Sequence, residues 1–346
     1  MPELRECCRL ELAAPRIACF ALRMSAPNKI VVTGHLGFIA SAFCQNFKDQ
    51  YEIVGIDFAG WGSLQSNLQP GTTDVRADIA DSARMTEVLD EHQPEAIINF
   101  AAESHVDRSI DDDLSFWQSN VLGARNLGLE AHKRGIRLVH VSTDEVYGDA
   151  LEENAAWTET SPISPRNPYS VTKAAAELML MSYHGTMGLD VVVTRGANTI
   201  GPRQFPEKAV PKAVTCFLEG RPFPLFKTPA QRMWMHVNDH VSGIEAALRK
   251  GVAGEAYNIA PSEASEAYTH DVIERVQKIV GKGTTEAVED RKAYDLRYWM
   301  EAKKAERDLG WTPTFDLEQT LSDTVGWYLS NTDWLKEANG ALAAAK

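Results

Sequence analysis

The chain has 346 residues, 44% hydrophobic and 24% charged, enough to bury a large core in one large or two moderate domains. A net charge of −13 argues against a nucleic-acid partner, which requires clustered Lys and Arg, and no apolar segment approaches the roughly 20 residues of a membrane span. Cys7, Cys8, Cys19, Cys44 and Cys216 are odd in number and lack CxxC spacing, which fits a reducing cytoplasm better than a disulfide framework.

Residues 1–28 read as a poorly ordered extension, with Met24 the expected natural first residue; Glu3, Glu6, Glu11 and Pro15 argue against a secretory leader. From Lys29 onward, short β-branched runs alternate with amphipathic stretches. "KIVVTG" is expected to be a buried strand, and Ile39, Phe43 and Phe47 fall on one face of the helix that follows. "YEIVGID", "TDVRAD", "EAIINFAA" and "IRLVHVS" supply further strands, with helices over "DSARMTEVLDEH" and "SFWQSNVLGARNLGLEAHKRG". A helix from Pro168 to about Gly185 leads into "LDVVVTRG". This alternation predicts an α/β fold, a Rossmann-type doubly wound parallel sheet over residues 29–195.

After Gly196 the prolines cluster and the strands shorten. Helices are expected near 240–249, 268–281, 299–309 and 315–330, within a smaller, loop-rich region over 196–330 that mainly binds substrate and of which some elements could return to the first domain. Residues 331–346 form a tail whose low-complexity end, "GALAAAK", is expected to fray.

Gly34, Gly37 and Ala40 have the spacing of a phosphate-binding turn directly after a strand and opening a helix. Asp57 lies 23 residues beyond Gly34, at the end of the next strand, where a carboxylate accepts both ribose hydroxyls of an adenosine. No arginine follows it to hold a 2′-phosphate, so the cofactor read here is NAD rather than NADP. Tyr169 and Lys173, at i and i+4, project from one helical face; an ammonium near the phenol is expected to favour the phenolate. "VSTDEVYGD" sets Asp144 and Glu145 side by side at a strand end, in isolation an ordinary acidic loop.

Together, "FAAESHVDRSI", "STDEVYGD", "NPYSVTK", "GPRQFPEK" and "GWTP" resemble the extended short-chain dehydrogenase/reductase superfamily, and within it the dTDP-glucose 4,6-dehydratases, over about residues 29–330. The Asp-Glu pair is the discriminating element, since the related epimerases usually lack both acids. The resemblance implies a lyase that oxidises C4 of a nucleotide-linked glucose, eliminates water across C5 and C6, and returns hydride to C6. Thr143 would contact the hexose, Asp144 would be the acid, Glu145 the base, and Tyr169 with Lys173 the oxidation pair. Phe38, Ile39, Asp57, Asp78, Ile79, Phe100, Ala101, Ala102, Ser104, Ser119, Tyr169, Lys173 and Thr199 would join Gly34 and Gly37 in touching NAD. Ser104, Thr143, Asn198, Lys208, Ala209, Pro224, Phe226, Arg232, Asn258, Arg291 and Tyr294 would hold the sugar nucleotide.

Departures from the family pattern fall at His35, read as a loop-packing residue, at Thr199 in place of an asparagine that commonly contacts nicotinamide, in "IDFAGWGS", and in "DRKAYD". They leave the nucleotide base open, dTDP against UDP or another, with an epimerase or decarboxylase on the same scaffold as the alternative activity. His236 and His240 lack a third ligand nearby, so no metal is expected. The resemblance also implies a homodimer paired through the helix near 114–134 and the helix carrying Tyr169.

Overall fold

The computed structural model describes residues 27–151 and 155–344; residues 1–26, nearly all of the expected extension, lie outside the described residues. The first half runs β1 (Lys29–Thr33), α1 (Phe38–Phe47), β2 (Glu52–Asp57), β3 (Thr73–Arg76), α2 (Ser82–His92), β4 (Ala96–Asn99), α3 (Val106–Asp111), α4 (Leu114–Phe116), α5 (Ala124–Arg134), β5 (Arg137–Thr143), α6 (Pro168–Met187) and β6 (Val191–Gly196). The second half continues through β7 (Asn198–Ile200), α7 (Ala209–Glu219), β8 (Phe223–Phe226), β9 (Gln231–His236), α8 (Val237–Lys250), β10 (Glu255–Ile259), β11 (Glu266–Tyr268), α9 (Thr269–Val280), β12 (Thr285–Val288), α10 (Leu317–Ser330) and α11 (Thr332–Ala344).

A seven-stranded sheet in the order β3-β2-β1-β4-β5-β6-β10 forms the centre. Its pairings are all parallel, with Val31 opposite Val54 on one side and Ile97 on the other. Alternation along β1 sets the layers. Val31 packs with Val54 and Ile97 among Leu89, Leu127 and Leu180 from α2, α5 and α6, whereas Ile30 and Val32 pack with Phe43, Val241 and Ile244 from α1 and α8. Each such side chain, fully buried, contributes about 1.5–3 kcal/mol. The strand order reverses between β1 and β4, so the carboxyl ends of these strands open a crevice where ligands of this fold class bind.

The chain leaves this sheet after β6 and comes back to it. Helix α8 packs on α1, and β10 pairs with β6 from Val192 to Gly196. Smaller sheets, β7-β9-β11 and β8-β12, stand beside the main one with α7, α9 and α10 around a separate apolar cluster of Phe217, Val272, Leu321 and Tyr328. The expectation that the "GALAAAK" end frays is corrected for its described part. Residues from Thr332 to Ala344 form α11, whose Leu335 and Ala338 are buried, with Ala338 against Leu64 and Phe205. Helical spacing places these few apolar residues on one face, a pattern hidden by the alanine-rich composition.

Between α4 and α5 the helix widens into a π turn over Trp117–Gly123. A Cβ on Gly123 would come within 2.5 Å of Ile79, so the helix approaches the β3–α2 connection only because glycine stands there. This wide turn carries Ser119 to the crevice.

Candidate active site

A cleft of about 300 Å³ opens over the carboxyl ends of β1, β2, β4 and β5 and reaches into the second half of the chain. Its floor is the turn after β1. Gly34 has φ +72°, and a Cβ there would meet the Ala101 backbone at 3.0 Å. Gly37 precedes α1 with no side chain capping the helix, which leaves the first amide groups of α1 facing the cleft, suited to a phosphate. Asp57 ends β2 and lines the cleft, as expected for a ribose acceptor; it also organises the turn, accepting from Leu36 N (3.1 Å), Ala59 N (2.7 Å) and the Ser63 hydroxyl. These features fit a dinucleotide.

Phe38, Ile39, Ile79, Phe100, Ala101, Ala102, Ser104, Ser119, Tyr169, Lys173 and Thr199 also line the cleft. Asp78 does not: it is exposed and turns its Oδ1 to the Ala80 amide at 2.8 Å. Thr199 is held sideways, its hydroxyl bridging Ala197 O (2.9 Å) and Nδ1 of His240 (2.8 Å). Burial depresses the His240 imidazole to about 3, keeping it neutral. His35 is fully buried against Gly55, with Nε2 3.1 Å from Asp74, outside the cleft lining.

At the centre stand Thr143, Asp144 and Glu145, where β5 passes into a single turn of 3₁₀ helix. Asp144 is buried, and its carboxyl is pushed up to about 7, first by burial and then by the charge of Glu145; Arg232 and the Thr143 hydroxyl pull it partly back. An acid held near neutrality beside a second carboxylate is an arrangement suited to general acid work. Thr143 donates to Asp144 Oδ1 (3.2 Å) and accepts from the Glu145 amide (3.3 Å). Glu145 accepts from the Asn167 carboxamide at 3.1 Å.

Helix α6 begins with a capping box at Asn167 and Ser170 and with Pro168 in its first turn, which fixes Tyr169 and Lys173 at the cleft wall. The expected lowering of the Tyr169 phenol is not what this arrangement produces. Burial raises it, as do Glu145 and Asp144, with only Thr143 opposing. The physical reason is that Lys173 gives its ammonium to the Val141 carbonyl at 2.7 Å, while its own value is lowered to about 8 by burial.

The expected sugar-nucleotide residues divide into groups. Asn198 and Lys208 line the cleft with Ser104 and Thr143; Asn198 Oδ1 is buried without a partner among the described residues, and Lys208 Nζ donates to Ser104 O at 2.8 Å. A second group lies outside that lining. Arg232 sits over the Tyr298 ring at 4.1 Å, Arg291 lies 5.4 Å from the Tyr294 ring, and Phe226 meets Tyr294 edge-on. Arg291 Nε is buried and, among the described residues, unpartnered, while Pro224 shares strand β8 with Phe226, and Ala209 opens α7 behind Lys208. Asn258 is corrected: it is fully buried, accepts from Tyr147 OH (2.7 Å) and donates to Trp157 O (3.2 Å), so its carboxamide is consumed in packing.

Residues not singled out from the sequence complete the cleft. Trp61 donates to Glu207 across it, and Arg108 stacks over Trp61 at 4.2 Å while pairing with Glu103 at 2.6 Å. "FAGWGS" gave no periodic signal for this bridge, because its partners lie far away in sequence. Asn167 was legible only as the residue before Pro168, a helix-start signature.

A Rossmann sheet with a phosphate turn at its switch point, faced by a helix carrying Tyr169 and Lys173, defines the class: a nucleotide-cofactor enzyme of the short-chain dehydrogenase/reductase type. The sequence model described as GDP-mannose 4,6 dehydratase matches residues 31–324. The dTDP-glucose 4,6-dehydratase of Xanthomonas campestris pv. campestris (strain ATCC 33913) is 38% identical, over 88% of this chain and 94% of that protein. Among solved structures, the dTDP-glucose 4,6-dehydratase of Streptomyces venezuelae, crystallised with NAD and TYD bound, superposes with a TM-score of 0.84 at 37% identity, over 90% of this chain and 99% of that one. The UDP-glucose 4-epimerase of Thermus thermophilus, a complex with NAD, reaches 0.82 at 27% identity, over 88% and 99%. The chain belongs to the nucleotide-sugar 4,6-dehydratase family of the extended short-chain dehydrogenases/reductases.

Proposed function

We propose that this protein is an NAD-dependent dTDP-glucose 4,6-dehydratase, a hydro-lyase that forms dTDP-4-keto-6-deoxyglucose. The observation that carries the reading is Asp144, buried with its carboxyl raised to about 7 and set directly before Glu145, in the same cleft as Tyr169 and Lys173. The fold alone does not discriminate, since an epimerase superposes almost as well as a dehydratase.

When bound, NAD supplies the hydride acceptor for C4 and the hydride returned to C6. Tyr169 takes the proton of the C4 hydroxyl once its own phenol proton has left to solvent, and the positive charge of Lys173 on the same helical face favours that phenolate. The 4-ketone acidifies the C5 hydrogen, which Glu145 removes; Asp144 protonates the C6 hydroxyl as water leaves. Asp144 suits that role because burial keeps its proton near neutral pH. Arg232 and Arg291 supply planar cationic contacts for the diphosphate, and Asn198 Oδ1 and Arg291 Nε, unpartnered among the described residues, are polar groups awaiting a ligand.

The reading includes a homodimer and a cytoplasmic setting. Leu114, Trp117 and Leu122 on one helical run and Val171 and Leu178 on α6 are exposed apolar side chains, the surface such a pairing would cover. Cys44 and Cys216 are buried and free, and no helix of the described residues is long and apolar enough to cross a membrane.

The test is incubation with dTDP-glucose, UDP-glucose, CDP-glucose and GDP-mannose, followed by the alkali-induced absorbance of a 4-keto sugar. The strongest signal is expected with dTDP-glucose. Preference for another nucleotide overturns the assignment of the base, and silence with all of them removes the dehydratase reading.

A further inference from the structure

Glu145 lies mainly among other acids and phenols, with Arg232, over the Tyr298 ring, as the cation of these surroundings. Asp144, Tyr169, Asp295 and Tyr298 all feel its charge, and every one of them is an acid or a phenol. Among the described residues, a single side chain hydrogen-bonds its carboxylate: Asn167, through Nδ2 to Oε2 at 3.1 Å. Asn167 is itself buried, and its other end is committed, because Oδ1 accepts the Ser170 amide at 2.9 Å as the cap of α6. That commitment fixes which way the carboxamide points. An N-cap must accept, so the NH₂ is what faces Glu145, and it can only donate.

The neighbouring backbone holds this geometry. Ser164 N donates to Val146 O at 2.9 Å, laying the segment before Asn167 along the turn that carries Asp144 and Glu145. Ser170 Oγ closes the box by accepting the Asn167 amide at 3.2 Å. One carboxamide therefore ties the strand end bearing the acid and base to the helix bearing Tyr169 and Lys173.

We infer that Asn167 is a positioning residue for the elimination step: it presents Glu145 to the C5 hydrogen as the base and keeps the two neighbouring carboxyls in separate roles. A donor on Oε2 orients the carboxylate and leaves Oε1 for the substrate. Asp144, whose carboxyl has the Thr143 hydroxyl as its one side-chain hydrogen-bond donor among the described residues, is left to carry the proton. This inference rests on the dehydratase reading above.

The substitutions that test it retain the cap, because Ser and Asp are as good at that position as Asn. Asn167→Ser keeps an acceptor for the Ser170 amide and loses the donor to Glu145; Asn167→Asp places a third carboxylate against the other two. Turnover of the preferred sugar nucleotide is expected to fall about tenfold to a hundredfold in the Ser variant, the effect of losing a hydrogen bond to a charged group, and further in the Asp variant. KM should change little. The distinguishing readout is reduced nicotinamide, which should accumulate during turnover in both variants, because C4 oxidation proceeds while elimination lags. Melting temperature and bound NAD should match the parent protein in the Ser variant, whereas the buried like charge of the Asp variant is expected to lower its melting temperature.

Parent-like turnover without accumulation in both variants overturns the inference, as does a parallel loss of melting temperature, NAD content and every partial step in the Ser variant, which is what a purely structural cap would give. A parent protein that neither reduces its nicotinamide nor forms a 4-keto sugar with any of the nucleotides removes the dehydratase reading, and this inference with it.

Discussion

Asp144 pays for its position at the strand end, and the cost depends on pH. Its carboxyl rises from 3.8 to about 7 in the fold. Between these values the folded chain keeps a proton that the unfolded chain releases, so stability declines as pH rises through the window and levels off above it. Asp144→Asn is therefore expected to raise stability above about pH 7, by a few kcal/mol at roughly 1.4 kcal/mol per unit, and to leave it unchanged in acid. Denaturant unfolding at both ends of the window checks this. The same variant should lower water loss by about a hundredfold to ten-thousandfold, the range of a lost general acid. Activity of the parent enzyme should fall as pH rises through about 7, where Asp144 gives up its proton. Glu145→Gln should likewise stall after C4 oxidation, accumulating reduced nicotinamide while water loss stops. Unchanged turnover in a stopped assay would show that the base has been assigned to the wrong residue.

At the level of elements, the turn holding Asp144 and Glu145 rests on a buried polar stack. Tyr147, at the end of that turn, bonds Asn258 and accepts from Arg195 at 2.7 Å, and Arg195 pairs with Glu177 of α6 at 2.7 Å. Both ions are nearly sealed from water, so removing one leaves the other uncompensated. Glu177→Gln is expected to cost about 3–5 kcal/mol in urea unfolding, and to loosen the turn enough to reduce turnover. The strands and helices themselves were largely legible, because β-branched runs and i, i+4 apolar spacing follow directly from local geometry. Asn258 was misplaced for a reason belonging to the same scale. It sits on β10, the edge strand of the main sheet, and nothing in "YNIA" tells whether its side chain meets a ligand or the Tyr147 hydroxyl.

Across the whole molecule, the exposed leucines on the α4–α5 run and on α6 are the features that most need a partner. Leu114 and Leu178 are 62% and 59% exposed. Light scattering is expected to report a dimer, and a double Leu114→Glu, Leu178→Glu variant a monomer with the same helical content. A monomeric parent at micromolar concentration would contradict the pairing. Helix α11 acts on the opposite flank, where Trp334 donates to Asn67 at 2.9 Å and Ala338 closes over Phe205 and Leu64. It thus ties the β2–β3 connection, with Trp61, to the loop that carries Glu207 on the other side of the cleft.

Spacing within a short stretch of chain was enough to single out the turn at Gly34 and Gly37, the Asp57 carboxylate and the Tyr169 and Lys173 pair, whereas the adjacent acids Asp144 and Glu145 stood out only through the family resemblance. These are local patterns, and local patterns survive in one dimension. Protonation was not among them: the raised Asp144, the raised Tyr169 and the lowered Lys173 are consequences of burial, which exists only once β5, α6 and the second half of the chain close around them. The same holds for the Trp61–Glu207 bridge, the docking of α11 and the grip of Asn167 on Glu145, each joining residues that only folding brings together. Sequence named the groups proposed to carry the chemistry, and the tertiary structure decided their charges and orientation, because desolvation and long-range contacts have no counterpart along the chain.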